Sequence, residues 1–252
     1  MTRDARRMAR WALVAAAALG ATAAQAGGGY VALSAKGKQV LANCNPKDLP
    51  ARQRCAVESL PGEAGYTLVA SLASPLVKNE ITIGTVYDQV WKGEGDDHIF
   101  ASRVELTAVP YDLTGLAFNL NDLFRKVLDD QPVAIAYQKE PATKALKKSG
   151  RTLQGLKEPE PGDDDDDDDE RVATGLFHGK QPTRDNAWVD FRIDANAAEP
   201  SGSSAANTPW LLVKTKAPAG FSLQPFALRL LSSDFADTSQ NVDIYVPGYQ
   251  PN

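Results

Sequence analysis

Carboxylates are the side chains through which this sequence of 252 residues is best placed to do chemistry, because its histidines and cysteines number only two each. A serine or cysteine hydrolase needs a nucleophile beside a general base, and that base is usually His. His98 and His178 lie far apart in the chain, no G-x-S-x-G elbow follows residue 26, and H-E-x-x-H is absent. Glycoside hydrolysis asks for less: two carboxyl groups about 5 to 9.5 Å apart suffice. Glu105, Asp190 and Asp194 are the candidates. Asp190 and Asp194 fall on one face of a strand but would stand about 13 Å apart there, so Glu105 would have to join them from another strand. The alternation of Asp190, Arg192 and Asp194 equally describes a solvated strand face held by cross-strand ion pairs. The weight of the residues is against an enzyme, and no catalytic residue is assigned.

Calcium is the one cofactor the sequence suggests, since hard cations take oxygen ligands from flexible loops. Asp96 and Asp97 sit on a glycine-rich turn, and Asp237 and Asp243 lie around the last loop. Neither segment has the twelve-residue EF-hand spacing, and Asp and Gly are also good turn formers. Trp91, Trp188, Trp210, Tyr87, Tyr245 and Tyr249 offer stacking surfaces for a sugar or a protein partner, although most fall inside strands, where core packing is the plainer reading. Phosphate cradles are absent, because Gly27 to Gly29 and the Lys92 to Gly95 stretch lack the strand-turn-helix setting. A net charge of -5 argues against nucleic acid as a partner.

The elements that would position these groups come after a leader. Residues 1–26 carry Arg3, Arg6, Arg7 and Arg10, then a short apolar run, then Ala24-Gln25-Ala26, which together read as a signal peptide cleaved before Gly27. The apolar run is about half the roughly 20 residues of a membrane-spanning helix. The expected address is therefore the periplasm, the cell surface or the exterior, with no transmembrane segment in the mature chain. Cleavage changes 27 cations against 32 anions to 23 against 31. Residues 163–170, seven Asp and a Glu, carry all of that excess, so the acidity is local. In an oxidising compartment Cys44 and Cys55 are expected to form a disulfide closing an N-terminal loop. Such a loop contributes about 2–3 kcal/mol in the chain-entropy account.

Residues 27–252 read as one mainly β domain. Residues 188–194 alternate Val189, Phe191 and Ile193 against Asp190, Arg192 and Asp194, the pattern of a half-buried antiparallel strand. Similar runs at 66–70, 81–91, 99–109, 133–137, 210–215, 226–231 and 242–246 predict an antiparallel, jelly-roll-like β-sandwich. One short amphipathic helix is predicted over 120–129, from Leu120, Leu123, Phe124, Val127 and Leu128, with Asn119 and Asp122 as its cap. Residues 140–171 are poor in apolar side chains and predict a long, disordered acidic insertion; 197–209 predict a flexible loop.

The strings TVYDQVWK, IFASRVELTA and FNLNDLFRKVL, spread over about residues 85–125, resemble the F group of bacterial choice-of-anchor domains. That resemblance implies an exported β-rich domain and lends no catalytic residue. The expected function is a non-enzymatic binding or structural role toward a protein or glycan partner in the cell envelope or outside the cell. A carboxylate-based carbohydrate-active enzyme and a calcium-stabilised adhesion module are the alternatives.

Overall fold

The computed structural model describes residues 29–33, 55–112, 115, 117–129, 131–138, 146–154, 185–198, 205–232 and 242–252. The leader, Cys44, residues 155–184 with the acidic run and His178, and Asp237 all lie outside them. Twelve strands occur among the described residues: β1 (Val31–Leu33), β2 (Ala56–Val57), β3 (Thr67–Lys78), β4 (Ile81–Lys92), β5 (Asp97–Leu106), β6 (Asn119–Lys126), β7 (Val133–Gln138), β8 (Leu146–Gln154), β9 (Asp185–Asn196), β10 (Leu211–Lys216), β11 (Phe221–Ser232) and β12 (Val242–Pro251). They form a seven-stranded sheet in the order β1-β7-β10-β5-β4-β3, with β2 attached to β7, and a five-stranded sheet in the order β12-β11-β6-β9-β8. Every pairing is antiparallel except β2 with β7.

Alternation dictates which side chains enter the core. In β4, Val86 and Val90 are buried while Tyr87, Gln89 and Trp91 stay half-buried on the opposite face; in β5, Val104 and Leu106 go in and Arg103 and Glu105 go out. The inward residues of both sheets, among them Val86, Val104, Ile135, Val213, Leu123, Phe191, Leu230 and Ile244, make one continuous cluster. That shared core makes the fold an antiparallel β-sandwich, as the strand pattern predicts. Gly84 permits a close approach of β4 to β5, because a Cβ there would stand 2.5 Å from the Glu105 carbonyl oxygen.

The helix predicted over 120–129 is not formed; residues 119–126 are β6, the central strand of the five-stranded sheet. The pairing of β6 with β9 shifts register between Leu120 and Asp122. This bulge puts Leu120 and Leu123 on the same inward side, and Phe124 on the outer side with Trp188 and Leu231. A strand buried on both faces around a bulge imitates helical spacing, and hydrogen bonding to strands on both edges overrides the local pattern. Residues 146–154, expected inside the disordered insertion, form β8 at the sheet edge against β9. Polar, lysine-bearing sequence suits an edge strand, which needs backbone partners more than an apolar face. Part of the expected 197–209 loop is also anchored: Leu106 N–H donates to Ala206 O at 2.9 Å, and Thr208 N–H to Val104 O at 2.9 Å. Cys55 is fully buried, and no free cysteine occurs among the described residues. No helix there is long and apolar enough to cross a membrane.

Candidate functional site

The outer face of the seven-stranded sheet is assembled from β4, β5 and the start of β10. Register sets Tyr87 opposite Arg103, Gln89 opposite Ala101 and Trp91 opposite Ile99, while Leu212 and Lys214 of β10 lie beside Ala101 and Ile99. One part of this face is covered by residues near the N-terminus. Tyr30, Val57, Leu60 and Tyr66 pack there with Ile99, Ala101, Ala136 and Leu212. Tyr30 Oη donates to Pro61 O at 2.6 Å, and Lys214 Nζ donates to Glu63 Oε2 at 2.5 Å while standing 5.6 Å from the ring centres of both Tyr30 and Tyr66. Burial raises the hydroxyl pKa of both tyrosines.

Beside that cover lies a shelf of half-buried side chains, Tyr87, Gln89, Trp91, Arg103, Glu105 and Trp210, of which Trp91 and Trp210 also pack against the covered cluster. Strands that flank a common neighbour are about 9.6 Å apart. The rings of Tyr87 on β4 and Trp210, the residue before β10, nevertheless come to 6.4 Å between centroids, tilted by 57°, so they lean together over β5. Arg103 Nη2 holds Glu105 Oε1 at 2.8 Å, and Tyr87 Oη donates to Glu105 Oε2 at 3.1 Å. That last bond raises the Tyr87 hydroxyl pKa, since ionising it would set two negative oxygens side by side. Trp91 Nε1–H donates to Gln89 Oε1 at 3.3 Å. The shelf thus combines half-buried rings with amide, hydroxyl and paired ionic groups, and it includes no nucleophile aligned with a base.

The outer face of the five-stranded sheet is chemically different. Two rows cross it by register: Tyr245, Arg229, Phe124 and Asp190, then Asp243, Leu231, Asp122 and Arg192. Phe124, Trp188 and Leu231 form a small buried cluster, and Asp122, Asp190 and Arg229 are also buried. Arg192 Nε stands 3.4 Å from Asp122 Oδ1, and Asp190 acts on the same carboxyl from the neighbouring strand. Burial pushes the Asp122 carboxyl up to about 6 in spite of Arg192. Arg229 Nε donates to both Asp243 oxygens at 2.9 Å, and its guanidinium lies 5.4 Å from the Phe124 ring and 5.6 Å from the Tyr245 ring.

Between the sheets, Arg125 is fully buried and ion-paired with Asp88. Its Nε donates to Ser102 Oγ at 3.2 Å and its Nη1 to Tyr249 O at 2.8 Å, while Tyr249 N–H donates to Asp88 Oδ2 at 2.7 Å. Burial raises the Asp88 pKa and lowers that of Arg125, and each charge opposes the shift in the other. Gly248 is required beside this clamp, because a Cβ there would fall 2.9 Å from Asp88 Oδ2.

The glycosidase set is not brought together. Glu105 lies on the outer face of one sheet, Asp190 and Asp194 on that of the other, with the core between them. Of the calcium candidates, Asp237 lies outside the described residues, and the other three have these contacts. Asp97 pairs with Lys216 at 2.6 Å, Asp243 chelates Arg229, and Asp96 offers its backbone oxygen to Ala217 N–H and His98 Nδ1, both at 2.9 Å. Among the described residues no three His, Cys, Asp or Glu converge on a point that a metal ion would occupy. His98 is buried between Phe100 and Phe221. Sequence reasoning found Tyr87, Trp91 and Trp210 but missed Gln89 and Arg103, whose signal was their alternation in step with those rings. It also missed the clamp, which was marked by Asp88 standing in the apolar register of Val86 and Val90. Comparison of the chain with protein-family models, with curated proteins and with solved structures finds no match.

Proposed function

We propose that this is an exported, non-enzymatic β-sandwich that binds a glycan through the Tyr87, Trp91 and Trp210 shelf. The observation that carries the reading is the pair of aromatic rings leaning together on an outer sheet face, with hydrogen-bonding groups at their edge. Ring faces complement the C–H faces of sugars, and a few fixed polar groups orient them. Export rests on the leader of residues 1–26, and the disulfide joins Cys55 to Cys44, the only other cysteine. Membership of the choice-of-anchor group belongs to the same proposal. Its three strings fall on β4, β5 and β6 and supply Asp88, Ser102 and Arg125 of the clamp.

The test is a thermal-shift series on the mature protein from Gly27 with a panel of soluble polysaccharides. One class of glycan should raise the melting temperature, as any ligand of the native state must. Trp210→Ala should weaken that binding at least about tenfold, equal to about 1.4 kcal/mol. A flat response across the panel, or undiminished binding by Trp210→Ala, would overturn the reading.

A further inference from the structure

We infer that the shelf takes single chains of a neutral polysaccharide and rejects polyanionic ones, an inference that rests on the proposed glycan-binding role. The charges bordering the rings are spent on one another. Arg103 is held by Glu105 at 2.8 Å, Lys214 by Glu63 at 2.5 Å, and Lys216 by Asp97 at 2.6 Å. Recognition of a uronate or sulfate calls for a guanidinium or ammonium free to give charge-assisted bonds. Here an incoming anion would have to displace Glu105 from Arg103 while meeting the Glu105 charge itself. Hydroxyl groups face no such conflict. The Glu105 carboxylate can accept from a sugar hydroxyl, and the Gln89 amide can both accept and donate, beside the Trp91 indole.

Ring geometry narrows the class further. A flat crystalline surface of packed chains would want coplanar rings. Tyr87 and Trp210 are tilted by 57° with centroids 6.4 Å apart, which suits a single chain that turns between successive residues.

Affinity electrophoresis of the mature protein in gels carrying a soluble neutral glucan, xylan or mannan, or polygalacturonate or a sulfated glycan, separates the outcomes. Retardation by a neutral polymer, little changed by added salt, is expected, with no retardation by the polyanions. Glu105→Gln, by freeing Arg103, should create polygalacturonate binding at least about tenfold above wild type. Because Trp210→Ala risks the fold, Tyr87→Ala serves beside it: losing the second ring of the pair should weaken neutral binding at least about tenfold. Retardation by polyanions alone, fading with salt, would overturn the neutral-chain inference while leaving a glycan-binding module. Binding to insoluble crystalline polymer alone would overturn the single-chain part. No retardation by any polymer would remove both this inference and the role beneath it.

Discussion

Asp122 is a carboxyl bordered by the side chains of two neighbouring strands: Asp190 and Arg192 on β9, and Arg229 and Leu231 on β11. Its folded-state pKa, about 6, lies above the ordinary carboxylate value, so the native state holds a proton that the unfolded chain releases first. The stabilisation from that proton is full below about pH 4 and is lost as pH rises through about 6, an effect of about 2–3 kcal/mol for a shift of this size. Asp122→Asn cannot titrate. Urea denaturation between about pH 4 and pH 7 should therefore show wild type losing that amount relative to the variant. Parallel stability curves for the two proteins would show that Asp122 titrates normally. Nothing in a single sequence distinguishes this aspartate from an exposed one, because its burial comes from strands far away in the chain.

At the level of elements, β6 shows where sequence pattern is legible and where it fails. β9 and most of β4 can be read directly, since buried and partly exposed positions alternate along them. β6 is apolar on both faces around a bulge, and the same leucines and phenylalanine then fit a helix equally well. β8 escapes the same reading because an edge strand is held by its neighbour's backbone and needs no apolar face of its own. The shelf was half legible: its rings announce themselves, but their meeting over β5 depends on pairing between β10 and β5, more than a hundred residues apart. β6 also carries Arg125, which ties it to β4, β5 and β12 through Asp88, Ser102 and Tyr249. Arg125→Met would strand the buried Asp88 charge and should cost roughly 3–5 kcal/mol in chemical denaturation. Adding Asp88→Leu should recover part of that loss, because the orphaned charge disappears with its partner. A double variant as unstable as the sum of the two singles would mean that the pair is not coupled.

The whole molecule is a sandwich with two unlike outer faces. One has a cluster of buried carboxyl, guanidinium and apolar groups around Asp122, while the other keeps Tyr87, Gln89, Trp91 and Trp210 partly open beside a cover formed by Tyr30, Leu60 and Tyr66. The glycan-binding role proposed for the Tyr87 and Trp210 pair sets the ligand on the seven-stranded sheet, whereas the exposed rings of Phe226 and Tyr245, 5.7 Å apart between centroids, lie on β11 and β12. Hydrogen exchange of the mature protein, with and without a saturating soluble neutral polysaccharide, tests this most directly. The account predicts added protection in residues 85–91, 99–105 and 210–214, with β11 and β12 unchanged. Protection confined to β6, β9, β11 and β12, or none anywhere, would contradict it.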